Sequence, residues 1–367
     1  MIAATHMNDV TELPVTDGTI ALLNLQAQID GPEPDVRLSH ASVESRVGLI
    51  ELITLRGLIL GHIADYQRAD EMAEQLVRDA ATDGTAFVAR ARTRAVFHRF
   101  TFALDDIDRA ERLGLNAETT SGDRAAIFQA VGRYDEALAI REEAADRRDS
   151  FENVAALVGL YAECGDSDAA ERVYAESRRR YRGVSPFPLA LLEFQLGLMW
   201  MNTDRLDEAR ASFEAARRRV PAYAAAQGHL AEVEAELGET ESALARLYSL
   251  AVTSDDPDYA AQLARILGAA GRSHESRRWC RLAARRYDDL VARHPAAFAD
   301  HAADFWLAAG ANPAKALRLA RMNVEVRKTP RAHGLLAQAI AANGVTGATS
   351  SARRNPDLAH ERLLRRN

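Results

Sequence analysis

The chain has 367 residues, 47% of them apolar and 27% charged, and a formal net charge of -7. That composition suits a folded protein with ample core material. The acidic balance argues against non-specific nucleic-acid binding, which needs cations to neutralise phosphates.

Residues 1–18 are polar and irregular and read as a mobile tail. Over 19–29, TIALLNLQAQI places apolar residues at Ile20, Leu23 and Ala27 and again at Leu22, Leu25 and Ile29, the spacing of a short helix. GPEPD at 31–35 ends it. From about residue 42 a repeat takes over. A small residue recurs at Ala69, Ala103, Ala137, Ala170, Ala209, Ala243, Ser276 and Ala316, at intervals of 34, 34, 33, 39, 34, 33 and 40. The clearest copy spans 189–221. It has Leu196-Gly197 and Trp200 in a first helix, Ala209, Phe213 and Ala216 in a second, and Pro221 at the end. Other copies carry Gly132, Tyr134, Ala137 and Ala144; Leu157, Tyr161, Gly165, Ala170 and Tyr174; and Leu230, Ala231, Gly238 and Ala243.

A period near 34 with this residue pattern resembles the tetratricopeptide repeat family over about residues 42–344. The resemblance implies an all-α fold, a right-handed superhelical solenoid of about eight helix–turn–helix units. One helix pair cannot bury its own apolar face, so neighbours stack into a continuous core. The expected organisation is a tail (1–18), an N-terminal capping segment (19–41) folded back over the apolar helix beginning at Val47, the array (42–344) and a flexible C-terminal tail (345–367). Three departures interrupt the period. Extra residues lie near 182–186, the second helix of the seventh unit runs on through 277–295, and the eighth turn has one additional residue. A ninth first helix, 332–343, lacks its partner. GVTGATSS at 344–351 reads as a linker, and 357–366 as a detached or capping helix.

No catalytic, phosphate-loop, dinucleotide or calcium-loop motif occurs, so no enzymatic activity, cofactor or metal is expected. Asp300, His301 and Asp304 form the nearest thing to a polar cluster, and it reads as a solvated helix face. Cys164 and Cys280 have no metal-ligand spacing and read as free thiols in a reducing compartment. The run LALLEFQLGLMWM is broken by Glu193 and Gln195 and is too short to span a bilayer. A soluble, cytoplasmic protein with neither a membrane nor a nucleic-acid partner is expected.

In arrays of this family the first helices line a concave channel that holds partner segments. Carried over unit by unit, the inward positions are His62, Arg92, Gln129, Glu163, Asn202, Glu232 and Glu236, Arg265, and Asp300 with Asp304. The C-terminal half of this wall is acidic, with Arg265 as its one cation, which favours a basic partner. The lysines that some relatives use to clamp a terminal carboxylate are absent, since Lys315 and Lys328 are the only lysines.

One helix differs from the rest. Leu191, Phe194, Leu198 and Met201 fall at steps of 3, 4 and 3 on its inward face, where other units have Gly122, Ala155, Gly228 and Ala261. Such a stripe needs a cover: a partner segment, a second copy of the chain, or the 182–187 insertion folded inward. The expected function is a non-enzymatic scaffold or adaptor that binds a protein or peptide, basic or apolar and helical. An assembly or secretion chaperone is the alternative. A peptide-sensing regulator ranks lower, since the residues before the first unit are few and not basic.

Overall fold

The computed structural model describes residues 13–31 and 41–354, with side chains through residue 344. Among the described residues there are 18 helices and no strand. The first, α1 (Gly18–Asp30), precedes eight antiparallel pairs. These are α2 (Val43–Leu60) with α3 (Ile63–Asp79), α4 (Gly84–Val96) with α5 (Phe100–Arg112), α6 (Ala117–Val131) with α7 (Tyr134–Arg147), and α8 (Phe151–Glu163) with α9 (Ser167–Arg180). They continue with α10 (Phe187–Asn202) and α11 (Leu206–Arg219), α12 (Ala224–Glu236) and α13 (Thr240–Thr253), α14 (Pro257–Ala269) and α15 (Ser273–Arg293), and α16 (Pro295–Leu307) and α17 (Pro313–Val326). The last helix, α18 (Pro330–Arg354), is unpaired.

The pairs stack into a right-handed superhelix, and the recurring small residues explain how. Ala69, Ala103, Ala137, Ala170, Ala209, Ala243 and Ala316 are all at most 1% exposed, at the points where two helices cross. In the eighth case Ser276 donates its hydroxyl to the Ala264 carbonyl at 2.8 Å. The crossing is tightest at Gly197, where an added Cβ would lie 2.5 Å from the Phe213 ring. Each turn between paired helices contains one residue with positive φ. Most are glycine, but units 2, 5 and 8 use His98 (53°), Asp204 (60°) and Ala311 (47°).

One difference from expectation concerns the C-terminal end. The 344–351 stretch, read as a linker, is helical, and α18 runs on to Arg354. The reason is that no proline interrupts the pattern before Pro356, and each internal glycine costs only about 1 kcal/mol. The 357–366 helix lies outside the described residues. At the other end, α1 packs Leu25 and Ile29 into one cluster with Leu49, Ile50 and Ile53 of α2. The same cluster takes in Val220 and Tyr223, and an added Cβ on Gly18 would lie 2.1 Å from the Arg219 carbonyl oxygen. The N-terminal helix therefore sits between the first unit and the fifth.

That contact begins a seam between successive superhelical turns. The Thr16 N–H donates to the Val184 carbonyl at 2.8 Å. In unit 1, Ile63 and Ala64 donate their N–H groups to the Asp255 carboxylate at 2.6 and 2.9 Å, and Ser254 donates to the Gly61 carbonyl. In unit 2, His98 Nδ1 lies 3.1 Å from the Ala296 carbonyl oxygen, and Phe97 stacks on His294 at 4.1 Å. In unit 3, Arg327 Nε donates to the Ala130 carbonyl at 3.0 Å and Lys328 N–H to Val131 at 3.2 Å. The turns of units 1, 2 and 3 thus dock on the loops that follow units 6, 7 and 8, so one superhelical turn takes five units. At Gly132 the approach is close: φ is +86°, and a Cβ would lie 2.6 Å from the Lys328 carbonyl.

Asp255 acts here as the N-terminal cap of a helix about 190 residues away in sequence. Its own-chain neighbour at that position, His62, supplies no side-chain cap to α3. Asp255→Ala is therefore expected to cost about 1 kcal/mol, the usual value of a lost cap, in urea unfolding. It should also speed amide exchange at Ile63 and Ala64 while leaving helicity unchanged.

Candidate functional site: the inner wall

The first helices present a wall whose side chains bond from one unit to the next. Arg92 donates to Asp123 of the next helix at 2.9 Å and to Glu51 of the preceding one. Gln129 Nε2 donates to Glu163 at 3.0 Å. Arg265 and Glu232 meet at 3.2 Å, and His229 lies 3.3 Å from the same carboxylate. Gln129 with Glu163 and Glu232 with Arg265 are equivalent positions of adjacent repeats, whereas Arg92 bonds to Asp123 and Glu51, which the register does not single out. Asn202 and Glu236 are exposed on the same wall, and Glu236 lines a small hollow of about 190 Å³ with Arg265.

Two expected wall residues lie elsewhere. His62 stands in the seam, its Nε2 3.2 Å from the Thr253 carbonyl oxygen. Asp300 is buried, accepting from its neighbour's N–H at 2.8 Å and pairing with Arg327 at 3.3 Å. The idea of Arg265 as the one cation among the C-terminal acids also needs correction. Arg327 pairs with Asp300, and the Arg331 charge acts on both Glu232 and Asp304. Arg327 stands just after α17 and Arg331 in the first turn of α18, neither at a first-helix position of the eight pairs.

The apolar stripe is divided by the fold. Leu191 and Phe194 pack against the cluster that joins α1–α4 to α10–α12, so the chain's own first and sixth units take part in covering them. The Phe194 ring lies 5.2 Å from Tyr223 and 5.5 Å from His229. Of the insertion at 182–187, Phe187 is buried in that same cluster, while the Ser185 carbonyl accepts from the Tyr181 hydroxyl and the Val184 carbonyl accepts from the Thr16 N–H. Leu198 and Met201 remain half-buried beside the cluster formed by Trp200, Phe213 and Leu230.

Two wall carboxylates have arginine charge acting on them at a distance, from Arg327 and Arg141 on Glu163 and from Arg331 on Asp304. Burial pushes the Glu163 carboxyl above its usual range. Burial and then the charge of Asp258 do the same for Asp304. Neither Glu163 nor Asp304 forms an ion pair among the described residues, which also contain no cluster of His, Cys, Asp and Glu able to hold a metal ion. No helix among them is long and apolar enough to cross a membrane.

With this geometry in view, comparison with known proteins resolves the architecture only. No protein-family profile and no curated protein matches the sequence. Among solved structures, an IFIT1 monomeric mutant with m7Gppp-AAAA superposes with a TM-score of 0.54 at 15% identity, covering 86% of this chain and 76% of that one. The human IFIT1 dimer with PPP-AAAA gives 0.54 at 16% identity, covering 89% and 77%. A tetratricopeptide repeat protein from Parabacteroides merdae covers 64% of this chain and 93% of its own length, at 15% identity and a TM-score of 0.44. The fold is that of a tetratricopeptide-type array. The helix pairs with small residues at their crossings and the match over most of both chains agree on it.

Two measurements test this account of the array's wall and seam. Phe194→Ala is expected to lower stability by about 3 kcal/mol, as for a core aromatic. A loss below about 1 kcal/mol would place the ring on an open wall. The second concerns His98, whose ring is pushed down to about 4 by burial and by the Arg327 charge. Because that lies below the ordinary value of 6.5, the stability gained by keeping the ring neutral is full above 6.5. It is lost as the pH falls toward 4. His294, lowered chiefly by burial, acts in the same direction. Urea midpoints measured across this window should fall less steeply for His98→Gln than for the wild type.

Proposed function

We propose that this chain is a non-catalytic scaffold whose inner wall holds a basic segment of a protein partner. The observation that carries the reading is that two carboxylates of that wall form no ion pair among the described residues. Arg92, Arg265 and Arg327 are each engaged by acids, while Glu163 and Asp304 are left without an ion pair among the described residues. A lysine or arginine side chain entering there relieves like-charge repulsion, and the field speeds its approach. Leu198 and Met201, half-buried midway along the wall, offer the apolar contact, worth on the order of 1.5–3 kcal/mol for a side chain buried in full. An assembly or secretion chaperone would use the same wall for one dedicated partner.

A second reading comes from the structures of similar fold, which hold PPP-AAAA and m7Gppp-AAAA. Binding of a 5′-phosphorylated RNA end by this chain would require its wall arginines to exchange carboxylates for phosphates. The net charge of -7 opposes that.

Photo-crosslinking separates the two. A crosslinker at Asn202 or Glu163 should capture a protein partner in the native cell, whereas one at Glu143, exposed on a second helix, should not. Capture from Glu143 alone would remove the wall from the account. Salt-sensitive binding of PPP-AAAA, with loss on Arg92→Glu, would establish the RNA reading instead.

A further inference from the structure

A cavity of about 290 Å³ lies where the inner wall of units 2 and 3 meets the seam. Its polar lining comes from Arg92, His98 and Asp123 of one superhelical turn and Arg327 of the next. Alanines at 91, 95, 126 and 130, with Val96, Phe100 and Ile127, make its apolar surface. We infer that this cavity binds a small zwitterion with an apolar side chain, of the size of an aliphatic amino acid.

Volume sets the class. At organic packing density the space takes roughly a dozen non-hydrogen atoms, too few for a nucleotide or a large cofactor. Charge then chooses among small molecules. Arg327 commits Nε to Ala130 and Nη1 to Asp300, and its Nη2 makes no hydrogen bond among the described residues. That edge suits a carboxylate. A bare anion is opposed, however, because Arg92 and Arg327 stand among three acids, Glu51, Asp123 and Asp300. The ligand must therefore bring a cation as well. Asp123 accepts from it, and so does His98. The partner of His98 Nδ1 is a carbonyl oxygen, which only accepts, so Nδ1 carries the proton and Nε2 of the neutral ring is an acceptor. An ammonium group between Asp123 and His98, a carboxylate on Arg327 and an aliphatic side chain against Ala95, Ala126 and Ile127 satisfy all three requirements. Such a ligand touches both turns of the superhelix, so its binding tightens the seam between units 3 and 8. This stands apart from whatever occupies the rest of the wall.

The test uses the full chain in thermal melts and titration calorimetry with leucine, with 4-methylpentanoate (no ammonium) and with 3-methylbutylamine (no carboxylate). Leucine should raise the melting midpoint in a saturable way, and each truncated analogue should bind at least tenfold more weakly. Ala126→Leu fills the cavity from an exposed wall position and should abolish binding with the circular dichroism unchanged. Ala95→Val serves if that variant misfolds. Asp123→Asn should weaken leucine about tenfold and strengthen 4-methylpentanoate, since Arg92 then loses one of its two acids. The proposal is overturned if no aliphatic amino acid gives a saturable shift, if binding survives filling of the cavity, or if the acid alone binds as tightly as leucine.

Discussion

The docking of turns onto loops one superhelical turn away is the constraint on which the rest of this structure depends. A repeat array ordinarily gains stability from nearest neighbours alone, as a one-dimensional stack. Here Asp255 caps α3, His98 reaches Ala296 and Arg327 reaches Ala130, each across nearly 200 residues of sequence. The first units therefore draw part of their stability from the last ones. The burial of Leu25 and Ile29 against both the first and the fifth unit ties the N-terminal helix into the same arrangement. Folding of the first three units cannot finish until units 6 to 8 exist, a non-local requirement of the kind that slows folding.

The repeat itself was legible in the sequence because crossing points tolerate only small side chains. Aligning those residues found every pair, and seven of the eight are alanines buried to within 1%. The pairings Gln129–Glu163 and Glu232–Arg265 fall at positions the same register marks, and those of Arg92 with Glu51 and Asp123 do not. The seam was not legible, since it joins irregular loops with no period to count. One signal was present without being used. Prolines stand in or beside the connections after units 4 to 8, at 186, 188, 221, 257, 295 and 330, and the connections after units 1 to 3 have none. The loops that form the seam are the ones stiffened by proline. The need for a cover over Leu191 and Phe194 is legible in the sequence, but the share taken by other units of the same chain is not, because with five units per turn parts of the inner wall are core.

Electrostatics on the wall follow from how each arginine is held. Where a guanidinium meets two carboxylates, as Arg92 meets Glu51 and Asp123, the site keeps one net negative charge and is geometrically fixed. Where a carboxylate takes its hydrogen bond from a neutral group, as Glu163 does from Gln129, burial raises its proton affinity and so lessens its charge.

The five-unit closure also limits how anything can reach the interior. An open solenoid can flex and be laid around a partner from the side. In this one, lateral entry between units 1–3 and 6–8 requires breaking the hydrogen bonds of Ile63, His98 and Arg327 in turn. A guest that leaves the seam intact must pass through an end of the coil, leading with a free terminus or a flexible hairpin. The topology of the guest is selected before its chemistry is.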